Sequence, residues 1–252
     1  MCIIYGGYFI FAFFIIEMNK LIFDSKFDCI VALNSKLPPL AFFIKYFKDT
    51  PIIGADGGAV QLFNLGIICD FVVGDLDTFH QAKIETFFQK KQIIHNPDQE
   101  INDFEKALIF ANEQGYQNIL IVGFHGGELE HTLNNWSILK KFQNRKNLCV
   151  YERGRYAIPL SVPFELETHF GEMISIIPQP FVKLSTKNLL WNLNNETLEL
   201  GSREGARNVA TDNYISINIL EGSILLFIDE RLPHCYRIEE KSGPDETRTH
   251  DL

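Results

Sequence analysis

The feature that most constrains the fold is an alternation, from residue 28 to about residue 150, of short apolar runs with longer segments of helical periodicity. The runs DCIVALNS, PIIGAD, DFVVGD and NILIVGF have the length and β-branched content of buried strands. Strands that alternate with helices in this way form a mostly parallel sheet that is covered on both faces. The first part of the chain is therefore predicted to be an α/β domain.

The helices of this domain are predicted from apolar residues at helical spacing and from residues that begin or end helices. Asn102 and Glu105 form a capping-box pattern, and Gly115 ends the same segment. The predicted helices cover residues 38–48, 59–66, 81–91, 102–115 and 129–142.

The pattern changes after about residue 150, where short strands are separated by turn signals. In residues 214–229, YISINILEGSILLFID, isoleucines alternate with polar residues, and Glu221-Gly222 has the composition of a hairpin turn. We expect a second, all-β domain of roughly 85 residues here. The strands predicted before this segment cover residues 164–169, 172–180, 182–193 and 196–201.

The two ends of the chain differ from both predicted domains. Residues 8–16, YFIFAFFII, are apolar, but the run is too short to span a bilayer and no Lys or Arg precedes it. Residues 1–17 are therefore expected to be a dispensable extension, as an upstream over-read of the start codon would produce. The α/β domain is expected over 18–150 and the all-β domain over 151–238. The tail, 239–252, lacks periodicity and is expected to be disordered.

The net charge and the cysteine content of the chain argue against certain kinds of partner and site. The 252-residue chain has a net charge of −9, which argues against nucleic-acid binding, because nucleic-acid binders present a basic face. Its five cysteines are scattered and form no C-x-x-C pair, so neither a zinc site nor a disulfide framework is indicated. We expect a reduced, cytoplasmic protein that is not inserted in a membrane.

Carboxylates follow two consecutive predicted strands and open a predicted helix. Asp56 ends PIIGAD, and Asp75 and Asp77 follow the next strand in DFVVGDLD. Asp103 lies in the first turn of a later helix. In parallel α/β sheets, ligands bind beyond the carboxyl ends of the strands, where the strand order reverses. If these strands are neighbours, the carboxylates crowd one edge of the sheet.

Such a crowd of carboxylates needs a cation. Two like charges about 4 Å apart repel by about 1 kcal/mol in water and by about 4 kcal/mol at an effective dielectric constant of about 20. Hard oxygen ligands beside a nucleotide-sized crevice indicate Mg²⁺ shared with substrate phosphates.

Each of these residues also has a purely structural interpretation. Asp103 suits a helix N-terminus, where negative charge is favourable, and Asp77 before Thr78 suits an N-cap. Glycine before aspartate is common in turns. The Gly-rich turn in GFHGGELEHT could hold phosphate at a helix N-terminus between His125 and His131, although His125 also fits an ordinary loop residue. The sequence contains no Walker loop, G-x-G-x-x-G, H-E-x-x-H or G-x-S-x-G motif.

The order and spacing of several motifs resemble the thiamine pyrophosphokinase family. These motifs are ALNSKLP, ADGGA, DFVVGDLDT, PDQEINDFEKAL and GGELEHTLNN, followed by NLLWNL and GARN, and they lie within about residues 28–230. The resemblance implies an enzyme that converts ATP and thiamine into thiamine diphosphate and AMP. It also implies a Rossmann-like α/β domain followed by a β-sandwich, in a homodimer with thiamine bound where the subunits meet.

The resemblance further implies roles for individual residues. The aspartates that would hold Mg²⁺ and the triphosphate are Asp56, Asp75, Asp77 and Asp103. The last three of these are the expected catalytic set. The residues expected on the ATP side are Gln99, His131 and Asn135. Those expected on the thiamine side are Arg207 and Asn208.

Four positions depart from the family pattern. Glu128 and Glu130 stand where many members have Arg and Asp, and glutamate cannot replace the planar, always charged guanidinium as a phosphate partner. Thr78 replaces the usual serine but keeps the hydroxyl, and Arg207 also stands where serine is usual. These differences concern phosphate contacts and thiamine orientation rather than the fold.

Three other functions are compatible with parts of the sequence. Another metal-dependent phosphotransferase or phosphatase would share the carboxylates, but Thr78 stands one position too early for the D-x-D-x-T motif of haloacid-dehalogenase-type phosphatases. A glycosyltransferase would use a D-x-D motif, but nothing after residue 150 suggests sugar binding. A non-catalytic thiamine or nucleotide sensor is motivated by Glu128 and Glu130, whereas the complete series of aspartates favours an enzyme.

Overall fold

The computed structural model describes residues 3–5, 8–10, 18–125 and 128–240. The predictions for the rest of the N-terminal extension, for the two glycines of the Gly-rich turn (126–127) and for the tail beyond residue 240 lie outside the described residues. Among those that are described, no helix combines the length and the hydropathy needed to cross a membrane.

The elements are numbered in chain order. The strands are β1 Ile3–Tyr5, β2 Tyr8–Ile10, β3 Asn19–Lys26, β4 Cys29–Ala32, β5 Ile52–Ala55, β6 Phe71–Gly74, β7 Ile93–His95, β8 Asn118–Val122, β9 Asn147–Glu152, β10 Arg155–Leu160, β11 Phe164–Glu167, β12 Met173–Lys187, β13 Glu196–Glu199, β14 Gly205–Val209, β15 Tyr214–Asp229 and β16 His234–Glu239. The helices are α1 Leu40–Tyr46, α2 Gly57–Asn64, α3 Asp77–Gln81, α4 Asp103–Glu113 and α5 Leu129–Phe142.

The predicted α/β architecture is confirmed. Six parallel strands lie in the order β9-β8-β4-β5-β6-β7, so the strand order reverses between β4 and β8. Alternate residues of β4 pack on opposite faces: Val31 shares a core with residues of α4 and α5, and Ile30 shares the other core with residues of α1 and α2. Burial on both faces explains why these strands are continuous apolar runs.

The second part of the chain is built around the pair β12 and β15, which run antiparallel along most of their length. The other edge of β15 pairs with β11 through its first residues and with β10 through its last. β15 thus connects two groups of strands, one that contains β11 and β3 and one that contains β10. The two groups face each other. Their inward side chains, among them Ile176, Ile217 and Leu226, share one core. This arrangement is the expected β-sandwich.

The first strand of this part of the protein comes from near the N-terminus. β3 pairs in parallel with β11 and antiparallel with the C-terminal strand β16. Residues 19–26 therefore lie with the sandwich, although the parallel sheet follows them directly in sequence.

Two predictions about the β region are wrong. Glu221-Gly222 is not a hairpin turn, because β15 continues through it with β12 as its partner. Gly222 has φ +85°, and an added Cβ would lie 2.2 Å from the carbonyl oxygen of Phe181, so the glycine permits a bulge in a continuous strand. The strands predicted over 172–180 and 182–193 are likewise one strand, β12, followed by a loop.

The helix predicted over 81–91 is also wrong. α3 begins earlier and ends at Gln81, and only two short 3₁₀ segments follow, Glu85–Phe87 and Lys90–Gln92. Phe79 and Ile84 are buried in the same core. Five positions on a helix place two side chains about 140° apart, so a continuous helix would turn one of them away from that core. Tertiary packing therefore breaks the helix, at a point where Lys83 adopts φ +56°.

The helices that bear most on the site were predicted well. α5 covers the predicted residues 129–142, and α4 lies within the predicted 102–115. The side chain of Asn102 accepts a hydrogen bond from the amide of Glu105 at 2.9 Å, which is half of the expected capping box. The carboxylate of Glu105 instead pairs with Lys141 of α5.

Candidate active site

The turn after β6 directs its two aspartates toward the edge of the sheet. Leu76 adopts a left-handed conformation, φ +70°, while its side chain is almost fully buried. A non-glycine residue in this conformation is held there only by its surroundings, and here the surrounding core provides that restraint. Burial of Leu76 between Asp75 and Asp77 leaves both carboxylates on the outside of the turn.

Asp56, at the end of β5, joins this turn to the neighbouring strand. Its carboxylate accepts hydrogen bonds from the amides of Thr78 and Phe79, at 3.2 and 3.0 Å, in the first turn of α3. Asp56 is buried and has φ +39°, outside the ordinary helical and extended regions. Strained backbone of this kind is typical of functional sites. Each oxygen of Asp56 retains a lone pair that could serve a cation.

Asp103, in the first turn of α4, contacts the turn that follows β6. Its Oδ1 accepts a hydrogen bond from the amide of Asp75 at 3.3 Å. One oxygen from each of Asp56, Asp75 and Asp103 lies within 4.8 Å of the other two. Three carboxylates therefore meet beyond the carboxyl ends of β5 and β6.

Gly74 makes this close approach possible. A Cβ added there would lie 2.9 Å from Oδ1 of Asp103 and 2.9 Å from Cβ of Asp56. Real Cβ atoms do not come so close to other heavy atoms, so any other residue would push the carboxylates apart. Glycine before Asp75 thus has a packing role in addition to its turn chemistry.

A buried lysine lies against the cluster, and the sequence analysis did not single it out. Lys106 is 2% exposed, and its Nζ lies 3.1 Å from Oδ1 of Asp103 and 3.7 Å from Oδ2 of Asp75. The sequence does contain a clue to this contact: Lys106 stands three residues after Asp103, which places both side chains on one face of α4.

The carboxylates of the cluster are not equivalent. Burial raises the pKa of Asp103, and the negative charges of Asp75 and Asp56 raise it further, although Lys106 acts in the opposite direction. Burial also raises the pKa of Asp75, but the amide of Asp77, the side chain of Gln99 and Lys106 outweigh it and hold that pKa below its ordinary value. The ionised form is therefore less favoured for Asp103 than for Asp75.

Two of the predicted residues lie at the rim of the cluster. Asp77 is exposed as the first residue of α3, and its amide donates to Oδ1 of Asp75 at 3.3 Å, but its carboxylate is not among the three that converge. Nε2 of Gln99 donates to Oδ2 of Asp75, also at 3.3 Å. Gln99 therefore contacts the cluster by its side chain and Asp77 by its backbone.

Two of the residues predicted on the ATP side, His131 and Asn135, line a cavity beside the cluster, whereas Gln99 does not. This cavity has a volume of about 170 Å³ and lies where the strand order reverses, with Asn34 after β4 and Gly123 after β8 in its wall. His131 and Asn135, from α5, line it together with Asp56 and Asp103. Parallel α/β proteins bind their ligands at this point of the sheet.

Within the cavity wall, the two α5 residues are held differently. Asn135 is buried, and its Oδ1 accepts a hydrogen bond from the side chain of Asn102 at 3.3 Å. His131 is largely exposed, and its Nε2 lies 3.3 Å from the carboxylate of Glu128. Glu128 thus faces a histidine rather than the carboxylate cluster.

The residues predicted on the thiamine side lie in the sandwich, on β14. Arg207 lines a second cavity, of about 680 Å³, together with apolar residues such as Ile177 and Phe227. Its backbone has φ +60°, and its amide donates to Oγ of Ser175 at 2.9 Å. The neighbouring residue, Asn208, does not line this cavity.

Asn208 instead holds a loop. It is buried, and its Oδ1 accepts from the amides of Trp191 and Val209 while its Nδ2 donates to the carbonyl of Trp191, at 2.8–3.1 Å. The Trp191 side chain itself is 62% exposed. Asn208 therefore fixes the backbone from which an exposed tryptophan projects.

Two family models match the chain, over separate ranges. Residues 45–151 match the family described as "Thiamin pyrophosphokinase, catalytic domain", and residues 160–224 match "Thiamin pyrophosphokinase, vitamin B1 binding domain". The first match contains the aspartate cluster, and the second contains Trp191, Arg207 and Asn208. The two matches together span more than half of the chain.

Individual relatives are distant in sequence and close in fold. The chain is 22% identical over 218 residues to thiamine pyrophosphokinase 1 of Oryza sativa subsp. japonica, which covers 75% of this chain and 82% of the relative. It is 27% identical over 163 residues to thiamine pyrophosphokinase of Bacillus subtilis (strain 168), and this match covers 62% of this chain and 76% of the relative.

Among solved structures, thiamin pyrophosphokinase from Geobacillus thermodenitrificans matches with a TM-score of 0.67 and 21% identity, over 81% of this chain and 98% of that one. Yeast thiamin pyrophosphokinase matches with a TM-score of 0.65 and 16% identity, over 82% of this chain and 87% of that one. These likenesses establish the shared two-part fold.

Proposed function

The chain belongs to the thiamine pyrophosphokinase family, and from that premise we propose that Asp56, Asp75 and Asp103 hold Mg²⁺ together with the phosphates of ATP. The reaction of this family makes thiamine diphosphate, with ATP as the donor of the transferred group. The observation that carries the proposal is the convergence of these carboxylate oxygens within 4.8 Å of one another.

The residues present suit this cation. Carboxylate oxygens are the ligands that Mg²⁺ prefers, and it is usually held by one or two carboxylates in addition to substrate phosphates and water. Gly74 leaves the space between Asp56 and Asp103 that a side chain would fill. Bound there, Mg²⁺ would neutralise charge that develops on the phosphate oxygens. Asp77, exposed beside the cluster, is proposed to complete the set from the rim.

The remaining residues of the α/β domain are proposed to position the nucleotide. Gln99 contacts Asp75, and Asn135 is buried in the cavity wall with Asn102 as its partner. His131 lies at the exposed end of the same cavity, where it can reach a phosphate. Positioning and charge stabilisation supply most of the rate in phosphoryl transfer, so the protein needs little covalent chemistry of its own.

The reaction that this arrangement would serve is an in-line attack by the hydroxyethyl oxygen of thiamine on the β-phosphorus of ATP. A bond forms between that oxygen and the β-phosphorus, and the bond from the β-phosphorus to the oxygen bridging to the α-phosphorus breaks, so AMP leaves. The proton of the hydroxyl passes to a carboxylate of the cluster or to water.

Thiamine is proposed to bind against the sandwich, near the cavity that Arg207 lines and the loop that Asn208 holds. Large exposed apolar side chains occur in both parts of the protein: Leu129 and Leu133 on α5, and Trp191 on the loop. A homodimer that brings the sandwich of one subunit against α5 of the other would cover them and unite the two halves of the proposed site.

The direct test is the formation of AMP from Mg·ATP by the purified protein, with and without thiamine. We expect AMP only when thiamine is present, with an equal amount of thiamine diphosphate. ADP or free phosphate would instead indicate another phosphotransferase. Tight thiamine binding without turnover would indicate a sensor in which Glu128 and Glu130 have removed the chemistry.

A further inference from the structure

Lys106 differs from an ordinary helix lysine in its degree of burial. Its side chain is 2% exposed, whereas lysines usually keep the ammonium group in water. Burying an unpaired ammonium is so unfavourable that such groups are found paired. Lys106 has two partners, Asp103 and Asp75, and both belong to the carboxylate cluster.

The charges of the cluster are only partly balanced. Three converging carboxylates carry up to three negative charges, and Lys106 contributes one positive charge at 3.1 and 3.7 Å from two of them. Among the residues that the structure describes, no other lysine or arginine forms an ion pair with Asp56, Asp75 or Asp103. Without a bound cation, Lys106 is thus the neighbour that opposes their mutual repulsion.

We propose that Lys106 is a resident counter-cation: it keeps Asp75 and Asp103 together when no divalent ion is bound, and it weakens the affinity of the cluster for a free divalent ion. The second part follows from the first, because a positive charge this close to the carboxylates also repels a cation placed among them. The cluster would then bind the ion well only when the ion brings nucleotide phosphates. This inference rests on the proposed metal site, and it makes Lys106 a positioning residue.

The test is Mn²⁺ binding in the absence of nucleotide, measured by electron paramagnetic resonance of the free ion, on wild type and Lys106→Met. We expect the variant to bind Mn²⁺ about tenfold more tightly, because removing one positive charge at this distance outweighs the looser alignment of the carboxylates. We also expect added Mn²⁺ to raise the midpoint of thermal unfolding by more in Lys106→Met than in wild type.

Two further variants separate charge from structure. Lys106→Arg keeps the charge and should bind Mn²⁺ as wild type does, and Lys106→Gln, which is the variant to use if the methionine form does not fold, should bind more tightly. The matched control is Lys141→Met, because Lys141 pairs with another α4 carboxylate, Glu105, outside the cluster. Its Mn²⁺ affinity should equal that of wild type.

The possible failures are distinguishable. Equal or weaker Mn²⁺ binding by both Lys106→Met and Lys106→Gln, with clear binding by wild type, would overturn the role of Lys106 and leave the metal site intact. Binding of free Mn²⁺ by none of these proteins would also overturn the role of Lys106, because removing its charge must raise the affinity for the free ion; the metal site itself is tested separately, by the activity of Asp75→Asn with Mg·ATP.

Discussion

The backbone amide of Asp75 donates a hydrogen bond to Oδ1 of Asp103 across 3.3 Å, although the two residues are 28 positions apart in the chain. The same oxygen lies 3.1 Å from Nζ of Lys106. One carboxylate oxygen therefore joins the end of β6 to the first turn of α4. Because a backbone group takes part, the relative position of the two aspartates is set by the fold and not by side-chain rotamers alone.

Replacing either aspartate should remove most of the activity without unfolding the protein. We expect Asp75→Asn and Asp103→Asn each to lower kcat/KM by about 100-fold or more, because a neutral amide stabilises neither the cation nor the developing charge. The measurement is thiamine-dependent AMP formation, with circular dichroism to confirm folding. Asp98→Asn, in the exposed loop before α4, is the control and should be fully active. Turnover close to wild type in Asp75→Asn or Asp103→Asn would refute the metal assignment.

Gly74→Ala should damage the site through a single methyl group. The added Cβ would lie 2.9 Å from both Oδ1 of Asp103 and Cβ of Asp56, so the carboxylates must separate. We expect a loss of about 1–3 kcal/mol in the free energy of unfolding, as for other overpacked sites, and a large loss of kcat. Gly66→Ala is a matched control: Gly66 has φ +81° but no atom within 4 Å of an added Cβ, so it should lose about 1 kcal/mol and no activity.

The raised pKa of Asp103 should appear in the pH dependence of stability when divalent ions are absent. Below the ordinary carboxyl pKa of 3.8 the group is protonated in both the folded and the unfolded states and contributes nothing. As pH rises past that value, the unfolded chain ionises first, so the free energy of unfolding falls until the folded pKa is passed.

The variant Asp103→Asn has no carboxyl group at this position, so its free energy of unfolding does not fall with pH for this reason. Its stability relative to wild type should therefore increase as pH rises above about 4, and the difference should become constant once the folded-state pKa of Asp103 is passed. Urea titrations of both proteins in the presence of EDTA would measure the difference. Parallel curves, or a difference of opposite slope, would contradict the raised pKa.

Asn208→Ala should affect thiamine more than ATP. The substitution leaves the amide and the carbonyl of Trp191 without their side-chain partner and frees the loop. We expect the KM for thiamine to rise severalfold while the KM for ATP changes little, with a loss of about 1–3 kcal/mol in stability. Asn144→Ala, which removes an exposed side-chain hydrogen bond to Ser161, should change neither KM. An equal rise in both constants would argue against a thiamine-side role for this loop.

A buried ion pair in the sandwich should matter for stability and not for chemistry. Glu172 is 1% exposed and accepts two hydrogen bonds from Arg231, at 2.8 and 2.7 Å. Glu172→Gln should lose about 3 kcal/mol or more, because the charge of Arg231 is left uncompensated. In the exposed pair of Glu196 with Arg203, Glu196→Gln should lose less than about 1 kcal/mol. Thermal melts compare the two variants, and similar shifts would contradict the difference in burial.

Several elements follow from local sequence alone. α5 covers the predicted residues, and α4 begins after an Asn102 cap that the sequence predicts. The parallel sheet follows from buried runs that alternate with helices, and it brings Asp56 and Asp75 to one edge, because both end neighbouring parallel strands. The helices depend on spacing within one segment, which the sequence displays directly, whereas the proximity of Asp56 and Asp75 depends in addition on the pairing of β5 with β6.

Other elements depend on contacts that no single segment contains. The segment 81–91 has helical spacing but is broken, because Phe79 and Ile84 must enter the same core. Gly222 resembles a turn residue but lies inside β15, because β12 pairs with the strand on both sides of it. The roles predicted for Gln99, His131 and Arg207 remain predictions, as do the homodimer and the cytoplasmic location.

The sequence by itself determined the two-part organisation, the family and the aspartates at the strand ends, since strand and helix periodicity and motif order are local properties of the chain. Only the tertiary structure decided which carboxylates converge, and it placed Asp103 with Asp56 and Asp75 while Asp77 stayed at the rim. It also showed that Lys106 is buried against them. The physical reason is that proximity and burial arise from packing between segments distant in sequence, and this packing sets the charge balance of the site.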